Sequence, residues 1–349
     1  MNLLKQTVGK IKDLDGEMMA KARQRVDNLI KPPNSLGKLE SLAIQLSGIT
    51  GELFPAIDQK AIIVMAADHG VYEEGVTSNP QEVTFAQTLN IAKGITGVGT
   101  IAKVSNAKIV TVDVGVKVDI PTDAGVINRK IRRGTANFTK GPAMTKEEAI
   151  QSLEVGIEIA NAEIQNGVNL LGTGEMGISN TTPSTAILSV LAGCDPKEIT
   201  GRGAGLGHGG LARKIEVIRN AIATNQPDST DAIDILAKVG GLEIGGMAGV
   251  MLAAAANRVP VVVDGYISTA SALIATTIEP KVKDYLITSH ATDEPGGKKA
   301  SELLGKEPML KMDMCLGEGS GAALAFPIID AACSMMKNMP TFEEVGMEI

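Results

Sequence analysis

The chain has 349 residues, enough for about two domains or for one large α/β unit with an addition. Hydrophobic residues make up 44% and charged residues 21%, the balance of a soluble globular protein, while 2% aromatic residues leave the core to aliphatic side chains, Ala and 15 Met. The scarcity of aromatics and the net charge of −7 argue against a nucleic-acid or anionic-membrane partner, whereas a few local donors can still hold an anionic small molecule.

Residues 17–30 read as a helix, with Met19, Ala22, Val26 and Leu29 on one face, stopped by Lys31-Pro32-Pro33. The opening stretch carries charges throughout what would be the apolar region of a signal, so no secretory signal is expected. Ser35 is placed to cap a second helix bearing Leu36, Leu39, Leu42 and Leu46. From residue 60 short aliphatic runs alternate with helical stretches: 61–67, 108–116, 168–171, 259–265 and 285–289. Between them, 145–166 reads as a helix with Thr145 and Glu148 as a capping box and Gly167 just past its end. Such a pattern predicts an α/β fold, a Rossmann-like, mostly parallel sheet covered by helices. The stretch 319–338 is helical again, so a small helical domain from both chain ends (1–57 plus 303–349) is expected beside a large α/β catalytic domain (58–302). The longest apolar run, 247–256, is too short to span a bilayer.

Each aliphatic run leads into a polar, glycine-bearing turn: Asp68-His69-Gly70, Asp113-Val114-Gly115, Gly172 to Gly177, Asp264-Gly265-Tyr266 and Ser289 to Thr292. In open parallel sheets ligands bind outside the carboxyl ends of the strands, so the site is expected there. Residues 201–210 hold six glycines in ten positions, followed by a helical stretch at 211–223. Gly205, Gly207 and Gly210 formally satisfy a dinucleotide fingerprint, but that reading needs a strand immediately before it. A surface loop is a second reading. The preferred one is a backbone cradle for a phosphate, with Gly203 and Gly205 presenting N–H groups and Lys214 supplying charge.

His69, His208 and His290 sit in glycine-rich turns without metal-ligand spacing and are expected to structure loops; no metal and no cofactor is expected. Cys194, Cys315 and Cys333 are far apart and read as reduced thiols of a cytoplasmic protein, not a disulfide framework. Asn180-Thr181-Thr182 has the form of a glycosylation acceptor, expected to be coincidental here. Glu318, between Gly317 and Gly319, reads either as a helix-start carboxylate favoured by the dipole or as a general base projecting into the site. Glu175, also among glycines, is its candidate partner.

The segments Lys31 to Gly37, Ala67-Asp68-His69-Gly70-Val71, Gly174-Glu175-Met176-Gly177 with Asn180-Thr181-Thr182, Lys238-Val239-Gly240-Gly241 and Gly317 to Gly321 occur in order over nearly the whole chain. Together they resemble the nicotinate-nucleotide–dimethylbenzimidazole phosphoribosyltransferase family. That resemblance implies transfer of phosphoribose from nicotinate mononucleotide to a cobamide lower-ligand base, giving α-ribazole 5′-phosphate and nicotinate. It also implies a homodimer in which the partner subunit helps close each site. By position Glu318 matches the catalytic base and Glu175 the second carboxylate. Lys214 and Thr292 match phosphate contacts, Gly177 and Asn180 stand with the donor side, and Gln87 and Leu316 line the base pocket. The sequence differs from the family pattern at Asn79, where Ser is expected before Pro80, and in the richer glycine content of 201–210; benzimidazoles, purines and phenols all stay open as acceptors. Two rival readings are a non-catalytic subunit of the same fold in a hetero-dimer and a Rossmann-type dinucleotide-binding oxidoreductase.

Overall fold

The computed structural model describes residues 3–347 except Ala204, with His208 described by its backbone alone; the expectation for the His208 side chain therefore lies outside the described residues. Helices α1 (Leu3–Val8), α2 (Gly16–Asn28) and α3 (Lys38–Thr50) come first. Strand β1 (Lys60–Ala67), helices α4 (Glu82–Ala92) and α5 (Gly97–Ala102), strand β2 (Lys108–Gly115) and the two-residue β3 (Ile127–Asn128) follow. Next are α6 (Lys146–Gln165), β4 (Leu170–Met176), α7 (Thr181–Ala192), α8 (His208–Asn225), α9 (Ala232–Val239) and α10 (Leu242–Ala256). The remainder is β5 (Val261–Val263), α11 (Tyr266–Ile278), β6 (Leu286–Thr288), β7 (His290–Thr292), α12 (Gly297–Leu304), β8 (Leu310–Met314) and α13 (Ser320–Asn338).

Six strands form one parallel sheet in the order β3-β2-β1-β4-β5-β6, as the alternation of aliphatic runs and helices implies. The order reverses between β1 and β4, and a crevice opens at that point beyond the strand ends. Because successive side chains of a strand point to opposite faces, β1 feeds two cores. Ala61, Ile63, Met65 and Ala67 pack with α6, α9, α10 and α11, whereas Ile62, Val64 and Ala66 pack with residues of α2, α3, α5 and α13. The two chain ends meet where the Ile30 N–H donates to Pro340 O at 3.0 Å and the Phe342 N–H to Asn28 O at 2.9 Å. Helix α1 instead packs on α6 and α10. Among the described residues no helix is long and apolar enough to cross a membrane.

The capping box of α6 forms: Thr145 Oγ1 accepts from the Glu148 N–H and Glu148 Oε2 from the Thr145 N–H. Elsewhere the structure corrects the sequence reading. Ser35 does not cap α3, whose N-cap is Gly37 without a side-chain bond; Glu40 reaches back instead, its Oε1 accepting from the Leu36 N–H while it pairs with the buried Lys31 at 2.8 Å. The run expected at 168–171 begins at Leu170 and continues as strand through Met176, so Gly172 to Met176 is not a turn. Its backbone is paired to β1 along its whole length, from Lys60–Leu170 to Ala66–Met176, and polar residues here stay extended because the ladder satisfies them. The segment 290–292 is likewise a strand rather than a turn, because β8 pairs with it in parallel as a separate two-stranded sheet.

The apolar run at 247–256 is an interior helix. Helices α6 and α10 cross so closely that a Cβ on Gly156 would lie 1.9 Å from the carbonyl oxygen of Gly246. Gly156→Ala should therefore force the helices apart and cost about 1–3 kcal/mol, the usual range for overpacking. A lowered midpoint in urea unfolding checks this, with Gly16→Ala as control: an added Cβ at Gly16 meets nothing within 4 Å, and that midpoint should barely move.

Candidate active site

The carboxyl ends of β4 and β5, the start of β7, residues 315–318 and the face of α4 line a cavity of about 230 Å³. Glu175 reaches it from β4, where it pairs opposite Met65 beside the switch point. Glu318 enters from the turn before α13. This turn is unusual, since Gly317, Glu318 and Gly319 all have positive φ (83°, 63° and 98°). For glutamate that conformation costs about 1–2 kcal/mol, so its neighbours must hold it. They do: Gln87 Nε2 donates to Glu318 Oε1 at 2.8 Å, the Val98 N–H donates to Oε2 at 3.2 Å, and the Glu318 N–H donates to Glu175 Oε1 at 3.3 Å. The two carboxylates expected from sequence are thus joined through one backbone N–H. Gly174 permits the approach, because a Cβ there would fall 2.2 Å from Glu318 O.

Below them Asp264 follows β5 and is 3% exposed. Its Oδ2 accepts from the Gly319 N–H at 3.0 Å, and its Oδ1 accepts from the N–H groups of Gly321 at 2.7 Å and Ala322 at 3.2 Å. The helix-start carboxylate of α13 is therefore Asp264, across the fold, rather than Glu318. Burial pushes Asp264 up to about 6 against those hydrogen bonds. Burial, with the charges of Asp264 and Glu243 added, pushes Glu175 up to about 8. Asn180 Nδ2 donates to Glu175 Oε2. Glu243 pairs with His69 at 2.9 Å, both side chains fully buried; burial lowers the imidazole pKa, but the adjacent carboxylate outweighs it and leaves it above its ordinary value.

The other end of the cavity suits an anion. Thr181, at the start of α7, accepts a hydrogen bond from Lys214 Nζ at 2.7 Å. Lys214 is 1% exposed, and burial pulls its ammonium down to about 8. Gly203, at φ +54°, lies against both: a Cβ there would be 2.8 Å from Thr181 Oγ1 and 3.3 Å from Lys214 Nζ. Of the residues singled out from sequence, Glu175, Gly177, Asn180, Gln87, Thr292, Leu316 and Glu318 line the cavity directly. Lys214 and Gly203 stand behind Thr181. Gly205 instead receives the Ser78 hydroxyl on its carbonyl at 2.9 Å, tying the 75–81 loop to the glycine-rich loop. Asn79, whose N–H donates to Thr77 Oγ1 at 3.3 Å, is not among the lining residues. Among the described residues no strand leads into 205–210, only a 3₁₀ turn at Pro196–Glu198 and irregular chain, so the context that a dinucleotide fingerprint needs is missing there. The roles of Asp264 and Thr181 were not visible in spacing, because each acts on an element distant in sequence. Among the described residues no cluster of three or more His, Cys, Asp or Glu is arranged to hold a metal.

The site thus joins a carboxylate pair at the switch point of a parallel α/β sheet to a buried lysine–threonine–glycine corner, the arrangement of an α/β enzyme. The chain belongs to the phosphoribosyltransferase family whose model, described as "Phosphoribosyltransferase", matches residues 11–347. It is 67% identical over 349 residues to the nicotinate-nucleotide–dimethylbenzimidazole phosphoribosyltransferase of Alkaliphilus metalliredigens, covering all of both chains. It is 54% identical over 347 residues to the protein of the same name from Clostridioides difficile, covering 99% of each. A crystal structure of nicotinate-nucleotide-dimethylbenzimidazole phosphoribosyltransferase from Thermus thermophilus superposes with a TM-score of 0.91 at 40% identity, covering 96% of this chain and 100% of that one.

The raised Glu175 makes stability depend on pH. The folded chain keeps a proton that the unfolded chain gives up near 4.5, so the contribution of this group is full below that pH and is lost as pH rises toward about 8. Glu175→Gln removes the titration and keeps one of the two hydrogen bonds, its single oxygen accepting either from Asn180 Nδ2 or from the Glu318 N–H. The variant should gain stability relative to the unmodified chain between pH 5 and pH 8, measured by urea unfolding at both. An unchanged difference would mean that Glu175 ionises normally.

Proposed function

We propose that this protein transfers the 5-phosphoribosyl group of nicotinate mononucleotide to a cobamide lower-ligand base, 5,6-dimethylbenzimidazole or a related azole or phenol, with Glu318 as the base. The observation that carries this reading is the Glu318 carboxylate, fixed by Gln87 and the Val98 N–H at a cleft whose far end holds Lys214 and Thr181. The donor's ring nitrogen is cationic, so nicotinate leaves with the C1′–N bonding pair as a neutral pyridine ring. The acceptor's lone pair forms the new bond to C1′ from the opposite face, inverting β to α, and the acceptor's proton passes to Glu318. Holding acceptor, C1′ and base in line is where the protein contributes most. Glu175 faces the same reacting region. Lys214, Thr292, Gly177, Asn180, Gly203 and Gly205 serve the donor and its phosphate, while Asn79, Gln87 and Leu316 serve the acceptor.

The proposal extends to a cytoplasmic homodimer in which 1–57 and 303–349 form the smaller domain; the packing of α3 with α2 and α13 and the backbone bonds between the chain ends support that division, from which α1 departs by packing on α6 and α10. A non-catalytic subunit would not require a glutamate held at positive φ by three separate contacts, which favours the enzymatic reading over that rival.

Glu318→Gln should keep the fold and lower turnover by roughly 10²–10⁴, the usual contribution of a positioned base. Purified protein is incubated with nicotinate mononucleotide and a panel of azoles and phenols, and the product is read by mass spectrometry; near-normal turnover in the variant removes Glu318 from the mechanism. A hydrogen bond to a charged group is worth about 1.5–3 kcal/mol. Lys214→Ala should therefore weaken binding of nicotinate mononucleotide by roughly ten- to a hundredfold and that of nicotinate riboside far less. Calorimetric titration of both donors checks it, and equal losses would mean that the phosphate is held elsewhere.

A further inference from the structure

His290 has no part in the mechanism above, yet it lines the cleft and is 4% exposed. Its hydrogen-bonding state follows from its neighbours. Ser289 Oγ donates its single hydrogen to the backbone carbonyl of Asp264 at 3.0 Å. Toward His290 Nδ1, 3.0 Å away, the same hydroxyl can only accept. Nδ1 therefore carries the ring hydrogen, and Nε2 is left as a lone-pair acceptor. Among the described residues Nε2 has no hydrogen-bond partner; it lies beside Gly265, where a Cβ would come within 3.4 Å of it. Burial lowers the imidazole pKa and keeps the ring neutral at pH 7. The groups facing it are the Asp264 carboxylate, 4.0 Å from Nδ1 and already engaged by three backbone N–H groups of the α13 turn, Ser289 just before its strand, and the backbone of Gly321 and Gly265.

The place of His290 along the cleft is equally defined. The start of α13, three residues after Glu318, packs directly on its ring at Gly321. Thr292 is two residues further along β7, on the same face and about 7 Å on, at the Lys214 end. A donor spanning from its reacting carbon near Glu318 to its phosphate near Lys214 thus lays its sugar across His290.

We propose that His290 binds the donor's ribose, with Nε2 accepting a hydrogen bond from one of its two ring hydroxyls, so that the site selects ribosyl over deoxyribosyl donors. This rests on the proposed reaction for the identity of the donor and for its placement between Glu318 and Lys214.

The test is calorimetric titration of nicotinate mononucleotide and of its 2′-deoxy and 3′-deoxy analogues against three proteins. In the unmodified protein one of the two deoxy donors should bind about three- to tenfold more weakly, the scale of one neutral hydrogen bond. His290→Phe, which removes the acceptor, should weaken nicotinate mononucleotide by a similar factor and that same deoxy donor no further. His290→Gln, whose amide oxygen reaches the position of Nε2, should restore most of the loss. Equal binding of all three donors by the unmodified protein overturns the inference, as does an equal loss on all three in His290→Phe. Absence of any binding of nicotinate mononucleotide to the unmodified protein overturns the proposed reaction itself, and the inference with it.

Discussion

The architecture of the cleft depends on one buried carboxylate, that of Asp264. Its two oxygens receive three backbone N–H groups from the Gly319 to Ala322 turn, and they face the positive end of the 19-residue helix α13. Hydrogen bonds to a charged acceptor are worth about 1.5–3 kcal/mol each, and the helix end adds a favourable field. That sum offsets part of the desolvation of Asp264, whose carboxyl still stands raised to about 6, and helps hold the left-handed conformation of Glu318. The carboxylate is supplied by the end of β5 and the turn it fixes belongs to α13, so this contact docks the last long helix of the chain onto the sheet.

From that anchor the remaining contacts follow in sequence. With Gly319 fixed, Gly317 and Glu318 have little choice of path, and the path runs against Gly174 in β4. The Glu318 N–H then meets Glu175, and the Glu318 side chain is left to meet Gln87 and the start of α5. Three carboxyl groups, Glu175, Glu243 and Asp264, consequently lie close together under the cleft. They tolerate one another by dissimilar means: Asp264 is saturated with N–H donors, Glu243 faces an imidazole, and Glu175 retains a proton.

Much of this was legible in the chain. Continuous aliphatic runs between helices gave away the parallel sheet, and Thr145 with Glu148 marked the start of α6, because both signals are local. The glycines around Glu318 marked unusual backbone, those around Glu175 lie along a regular strand instead, and the order of motifs along the chain carried the family. What was not legible depends on partners far away in sequence. Nothing near Gly172 to Met176 announces a strand; β1 makes it one. Residues 310–314 lack the apolar run of an interior strand and are strand because β7 lies beside them. Asp264 looked like an ordinary turn residue, since its partners lie 55 to 58 positions later. Ser35 had the right chemistry for a cap, but Glu40 had a buried lysine to hold it in place, and the better-anchored carboxylate won.

The two-sided burial of β1 has a consequence for how such a chain can vary. Each side chain from Ala61 to Ala67 belongs to one core or the other in strict alternation. A single added or deleted residue inside the strand would exchange the two sets, sending residues fitted to α10 toward α13 and the reverse. It would also carry the Asp68-His69 turn off its partners at the strand's end. A change of length is therefore compatible with this fold only outside the central ladder, and within β1 only a size-matched aliphatic can replace another without disturbing a core.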